Sequence, residues 1–175
     1  MIEVEVKARA PEDMAERIAA LGATLLVVEN HHDLYFNSSQ RDFRFSDEAL
    51  RIRIKEEGAR LTYKGPKLDQ TTKSRLERTV KIDDPKQMEQ ILSSLGFVLS
   101  AQVRKKRTKY SYEGLVLALD EVEGLGSFVE VEAEGEGDYE EQKRKVLSIM
   151  SKLGLHESIR SSYLELLEES KKTCQ

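Results

Sequence analysis

Two pairs of carboxylates sit at alternate positions, Glu3-x-Glu5 and Glu130-x-Glu132, and two pairs of cations share the same spacing, Arg51-x-Arg53 and Lys105-x-Arg107. Alternate residues of an extended strand project from one face, so each pair converges on whatever that face meets. Clustered carboxylates supply the hard oxygen ligands that Mg²⁺ and Mn²⁺ prefer, while guanidinium and ammonium groups grip phosphate oxygens. Together they are the components of a site for a metal-bound polyphosphate. For any one strand, a charged face turned to water is the simpler account. The segregation of acidic strands from basic ones speaks against it, because a solvated face needs no particular composition. The alternative is a barrel whose charged faces line the inside and whose apolar faces are covered by helices. Unpaired buried charges are strongly unfavourable, so such an interior implies a highly charged ligand.

The elements that must position these side chains follow from periodicity. Residues 2 to 9 place Ile2, Val4, Val6 and Ala8 against Glu3, Glu5, Lys7 and Arg9. Leu50, Ile52 and Ile54 alternate with Arg51, Arg53 and Lys55, and Arg75, Glu77, Thr79 and Lys81 alternate with Leu76, Arg78, Val80 and Ile82. Residues 128 to 134 set Val129, Val131 and Ala133 against Glu130, Glu132 and Glu134. Alternation of this kind suits antiparallel sheets with unlike faces rather than a parallel sheet buried on both sides. Three helical runs end on the same dipeptide, at Leu21-Gly22, Leu95-Gly96 and Leu153-Gly154, where glycine can cap the helix. Pro11 is placed to start the first, with Met14, Ile18 and Leu21 at helical spacing, and Asp84-Pro85 opens the second, with Met88, Ile91, Leu92 and Leu95 as its apolar positions. The first two units each run strand, helix, Leu-Gly, which suggests two similar halves. The fold class that follows is α+β, in a single domain over residues 1–175.

Charged residues make up 34% of the 175, but 28 Lys and Arg face 32 Asp and Glu, for a net charge of -4. That balance argues against a nucleic-acid or anionic-membrane binder, which would carry a basic excess. The single cysteine, Cys174, excludes an internal disulfide and suits a reducing compartment. Neither a signal-peptide pattern nor an apolar run of membrane-spanning length is present, so a cytoplasmic, membrane-free protein is expected.

With these strands in order, the chain resembles the CYTH superfamily, the triphosphate tunnel metalloenzymes that include class IV adenylyl cyclases and thiamine triphosphatases. Glu3-Val4-Glu5-Val6-Lys7 resembles the Glu-x-Glu-x-Lys signature of that family. His32-Asp33-x-Tyr35-Phe36, Ala49-Leu50-Arg51-Ile52-Arg53, Leu61-Thr62-Tyr63-Lys64-Gly65-Pro66 and Arg75-x-Glu77 follow in order. Val103-Arg104-Lys105-Lys106-Arg107, Leu119-Asp120, Gly124-Leu125-Gly126-x-Phe128-x-Glu130-x-Glu132 and Ser162-Tyr163 before Leu166-Leu167 complete the series. The resemblance implies an eight-stranded antiparallel closed β-barrel, a tunnel with a charged interior and helices packed outside. It assigns Glu3, Glu5, Asp120, Glu130 and Glu132 to a metal-holding wall, and Lys7, Arg51, Arg53, Lys64, Arg75, Lys105 and Arg107 to a phosphate-binding wall. Of these, Lys7, Arg53 and Lys105 are read as catalytic. Strand periodicity turns Arg104 and Lys106 to the opposite face, so Lys106 is left out. Glu77 is either a metal ligand or a partner orienting Arg75 or Arg53.

The resemblance further implies Mg²⁺ or Mn²⁺ as cofactor, a nucleoside or organic triphosphate as substrate, and a homodimer. Within the family, the Leu-Thr-Tyr-Lys-Gly-Pro element, the Gly-Leu-Gly loop and the short chain are most similar to class IV adenylyl cyclases, which convert ATP to 3′,5′-cyclic AMP and pyrophosphate. A triphosphatase with the same charged frame is the alternative. A non-catalytic polyphosphate binder is a third, but it would gain nothing from five carboxylates. His31 and His32 are adjacent, so they point to opposite faces and cannot share a metal; a surface or packing role is expected. Tyr35, Phe36 and Phe128 are expected in the core or at the barrel rim. The segment from Glu165 to Lys172 reads as a solvated amphipathic helix docked through Tyr163, Leu164 and Leu167.

Overall fold

The computed structural model describes residues 2–133, 135 and 137–173. Glu134 and Cys174 lie outside the described residues. Eight antiparallel strands form a closed barrel in the order β1-β5-β4-β3-β2-β6-β7-β8. They are β1 (Ile2–Arg9), β2 (Thr24–Ser38), β3 (Ala49–Lys55), β4 (Gly58–Lys67), β5 (Arg75–Ile82), β6 (Phe97–Tyr112), β7 (Leu115–Val122) and β8 (Gly126–Ala133). The helices are α1 (Met14–Ala20), α2 (Phe43–Ser46), α3 (Pro85–Ser94), α4 (Tyr139–Lys152) and α5 (Tyr163–Thr173). Closure leaves no free sheet edge along the ring, and the polar backbone is satisfied between strands.

The alternation of β1 decides which way its charges face. Val4, Val6 and Ala8 join Val129, Val131, Leu115 and Leu117 in a core whose other half comes from Met14 and Ile18 of α1 and Val146, Ile149 and Met150 of α4. Helices therefore cover the apolar outer face, and Glu5 and Lys7 turn inward, buried. A second outer core gathers Leu34, Phe36, Leu50 and Ile52 under Leu92 of α3. A third, around Tyr35, Val103, Val122, Phe128 and Tyr163, ties α5 to the barrel, with Leu164 and Leu167 packed against it.

The three Leu-Gly dipeptides end α1, α3 and α4 as their sequence suggested, with Gly22, Gly96 and Gly154 at positive φ of 82°, 91° and 76°. A side chain at these positions would be strained. Two details depart from the periodicity. Pro11 accepts a turn hydrogen bond from Met14 instead of opening α1, whose N-cap is Asp13. In α3 only Leu92 is buried, while Ile91 is 50% and Leu95 69% exposed, so this helix covers less of the barrel than its apolar residues suggested.

Candidate active site

Cross-strand register brings the charged residues together. Glu5 lies opposite Glu132 and Lys7 opposite Glu130 across β1 and β8, and Glu3 lies opposite Arg75 on β5. On the other side of the ring Arg53 faces Asp33, His31 faces Lys105, and Arg107 faces Asp120. Arg104 and Lys106 are exposed, as the alternation required.

The basic side is organised by two buried aspartates. Asp33 accepts both Nε and Nη2 of Arg53 at 2.7 Å and stands 4.0 Å from Arg51. Burial would raise its pKa, but the two guanidinium groups hold it far below the usual carboxylate range. Asp120 accepts Lys105 at 2.9 Å, Arg107 Nε at 2.7 Å and Nη2 at 2.6 Å, and the Tyr163 hydroxyl at 2.7 Å. It too is kept ionised, at about 2: burial acts upward, and Arg107 and Lys105 prevail. Burial, then Arg107, lowers Lys105 to about 8. These bidentate pairs fix the guanidinium planes while leaving other donors for a ligand.

The acidic side is less evenly matched. Arg107 also donates to Glu130, and Lys73 bridges Glu5 at 2.6 Å and Glu130 at 3.1 Å. Lys64 donates to Glu3 at 3.1 Å and pairs with Glu77. Glu77 is thus the partner of Lys64, close to Glu3, rather than orienting Arg75 or Arg53. Burial pushes Glu77 up to about 7, with Glu3 adding to it. Glu132 is pushed to about 8 by burial first and then by Glu3 and Glu5. This wall holds more carboxylates than its own cations neutralise, so two of them keep protons near neutral pH. A hard dication that prefers oxygen ligands relieves such an excess, and in donor chemistry Glu3, Glu5, Glu130 and Glu132 fit Mg²⁺ or Mn²⁺. Among the described residues, however, no three carboxylate, His or Cys side chains already form a metal-binding group. Lysine ammonium groups stand between them.

A cavity of about 410 Å³ opens among these groups. Glu3, Glu5, Arg51, Arg53, Lys64, Arg75, Lys105, Arg107 and Glu130 all reach it. Three residues of the expected site do not line it: Lys7, Asp120 and Glu132. Asp120 is covered by Lys105 and Arg107, and the same Arg107 Nη2 links it to Glu130 beside it. Lys7 is sealed in, with its ammonium donating to the Ser161 carbonyl and lying 4.2 Å from the Tyr163 ring centroid. Burial, then Lys73, lowers its pKa to about 7.

Four contributors escape a reading by motif alone. Asp33 sits within the quoted His-Asp-x-Tyr-Phe segment, and alternation with Tyr35 would have turned it inward. Lys73 lies in the turn between β4 and β5, where no periodicity speaks for it. Tyr163 was expected only as a docking residue, yet its hydroxyl reaches Asp120. His31 is buried beside Glu29, at 2.8 Å, whereas the His32 ring bonds Gln102 on the outer face at 2.7 Å. Burial, with Arg53 and Lys105 nearby, lowers His31 to about 3 and keeps it neutral.

The CYTH domain matches residues 1–163 of this chain. A protein of Methanocaldococcus jannaschii, MJ0240, whose name proposes an adenylate cyclase, is 40% identical over 172 residues, which span 95% of this chain and 98% of the relative. Among solved structures, PH1819 of Pyrococcus horikoshii is 41% identical with a TM-score of 0.90, over 96% of this chain and 99% of that one. HpAC1 of Hippeastrum, named for adenylyl cyclase and described as having a dominant triphosphatase activity, is 25% identical with a TM-score of 0.72, over 97% of this chain and 95% of that one.

Proposed function

Because this chain belongs to the CYTH domain family, we propose that it is an adenylate cyclase that converts ATP to 3′,5′-cyclic AMP and pyrophosphate with divalent metal ions. The observation that carries this proposal is the single cavity in which Glu3, Glu5 and Glu130 share space with Arg51, Arg53 and Arg107. Its lining continues past the charges to Tyr35, Asn37, Ser38, Phe43 and Val98, a mixed surface suited to an organic group joined to the triphosphate. The name of MJ0240 agrees.

Each residue has a task in such a reaction. Arg51, Arg53, Lys64 and Arg75 bind phosphate oxygens through charge-assisted hydrogen bonds and align the chain of phosphates. Lys105 and Arg107 stabilise the charge that develops on departing pyrophosphate. Lys7 does not reach the cavity; its ammonium, held by the Ser161 carbonyl beside the Tyr163 ring, supports the wall from behind instead of touching substrate. Glu3, Glu5, Glu130 and Glu132 would hold the divalent ions, which supply charge neutralisation and acidify the attacking hydroxyl.

One finding favours a second reaction on the same frame, hydrolysis of the triphosphate: the dominant triphosphatase activity described for HpAC1. The two are separated by the origin of the attacking oxygen. With Mg²⁺ or Mn²⁺, ATP is expected to give cyclic AMP and pyrophosphate, while 3′-deoxy-ATP binds without turnover. Orthophosphate released alike from ATP, 3′-deoxy-ATP and inorganic tripolyphosphate, with no cyclic product, overturns the cyclase in favour of the hydrolase.

A further inference from the structure

Lys73 enters the barrel from the turn between β4 and β5, not from a strand. Its ammonium lies 2.6 Å from one oxygen of Glu5 and 3.1 Å from one of Glu130, and the residue is 8% exposed. Two carboxylates from neighbouring strands thus converge on one positive point. The turn is built to keep it there. Lys73 N donates to the Glu5 carbonyl at 3.0 Å and Leu68 N to the Ser74 carbonyl at 2.8 Å. The Asp69 carboxylate accepts the backbone N–H groups of Thr71 and Thr72 at 2.6 Å and 2.7 Å, and Arg160 donates to its carbonyl at 2.6 Å. A backbone held at this many points does not place a lysine inside by accident.

We infer that Lys73 is a built-in counter-cation: it holds the Glu5–Glu130 carboxylate pair, and it yields that pair to a divalent metal when a triphosphate offers the ammonium a new partner. This rests on the metal-triphosphate function proposed above. A lone dication approaching Glu5 and Glu130 meets a fixed positive charge at contact distance, in a setting where water screens little. A triphosphate brings several negative charges into the same cavity, and the flexible four-carbon stem lets the ammonium turn towards them. Metal and triphosphate then bind with positive coupling, and each raises the affinity for the other. The same occupancy accounts for the lack of a ready-made metal group among the described residues.

The test is Mn²⁺ binding to the metal-stripped, full-length protein without phosphate, followed by electron paramagnetic resonance. Lys73→Met is expected to bind Mn²⁺ at least about tenfold more tightly than the unaltered protein, because one opposing charge has gone. Lys73→Arg, which keeps the charge, should remain within a few-fold of it. Equal or weaker Mn²⁺ binding by Lys73→Met overturns the inference and leaves the metal site standing. If neither the unaltered protein nor Lys73→Met binds Mn²⁺ at millimolar concentration, the metal site itself falls and the inference with it. Should Lys73→Met prove unstable without metal, Mn²⁺ must restore it, seen as a larger rise in thermal midpoint than the unaltered protein shows; failure of that rescue also counts against the inference.

Discussion

Carboxylates crowded into an interior cannot all ionise, and the protons they retain report where a cation is wanted. Glu132 is the clearest case, because burial together with Glu3 and Glu5 holds it at about 8, against 4.5 for the free side chain. A carboxyl whose folded pKa is raised binds more protons in the native state than in the unfolded one between those two values, so stability falls as pH rises across that window. In metal-free protein with chelator, Glu132→Gln should match the unaltered protein near pH 5. At pH 8 it should be more stable, by on the order of 1–2 kcal/mol. Thermal unfolding from pH 5 to pH 9 measures this, and a difference that does not change with pH would contradict the proton retained at Glu132. The acids and bases themselves were legible in the sequence because strand alternation puts Glu3, Glu5, Arg51, Arg53, Lys105 and Arg107 on inward faces. Their pairing was not. That Asp120 would sit among cations, and that Lys73 would bridge Glu5 and Glu130, depends on which strands become neighbours and on the path of a turn, and neither has a period to read.

Among the elements, helix ends proved more legible than helix faces. A Leu-Gly stop is a local backbone requirement, met at Gly22, Gly96 and Gly154 whatever lies around them. Which side of a helix is buried depends on how much sheet it can reach. α4 lies on β1 and β8 and buries Val146, Ile149 and Met150, whereas α3 buries Leu92 and leaves Ile91 half exposed. Ile149→Ala should therefore cost about 2–5 kcal/mol, the usual range for a cavity opened in a packed core. Ile91→Ala should cost well under about 1 kcal/mol, as surface substitutions do. Denaturant unfolding of the two variants gives the comparison, and equal losses would mean that α4 does not cover the barrel as its contacts show.

At the scale of the whole molecule, the ring has an internal symmetry that the repeated strand-helix-Leu-Gly pattern had suggested. Advancing every strand by four exchanges β1 with β5, β2 with β6, β3 with β7 and β4 with β8, and this returns the same ring, β1-β5-β4-β3-β2-β6-β7-β8, read in the opposite direction. We read the two similar halves as one domain, because their strands are interleaved. β1 finds its partners only in β5 and β8, both in the second half, and the long strands β2 and β6 pair from Thr24–Ser111 to Ser38–Phe97 across the other seam. A fragment of residues 1–67 would carry β1 with no strand to pair with, β2 with one edge bare, and inward charges with no closed tunnel to balance them. Bare edges and unpaired interior charges both disfavour the folded state. We therefore predict that residues 1–67 alone are unfolded and that a 68–175 fragment, cut at the turn between β4 and β5, is unfolded or aggregates. Mixed from denaturant, the two should reassemble one barrel and regain tripolyphosphate binding. Circular dichroism and amide chemical-shift dispersion follow the folding, and calorimetry follows the binding. A dispersed, cooperative spectrum from residues 1–67 on their own would show that half of the chain is a domain, and the single-domain account of residues 1–175 would have to be abandoned.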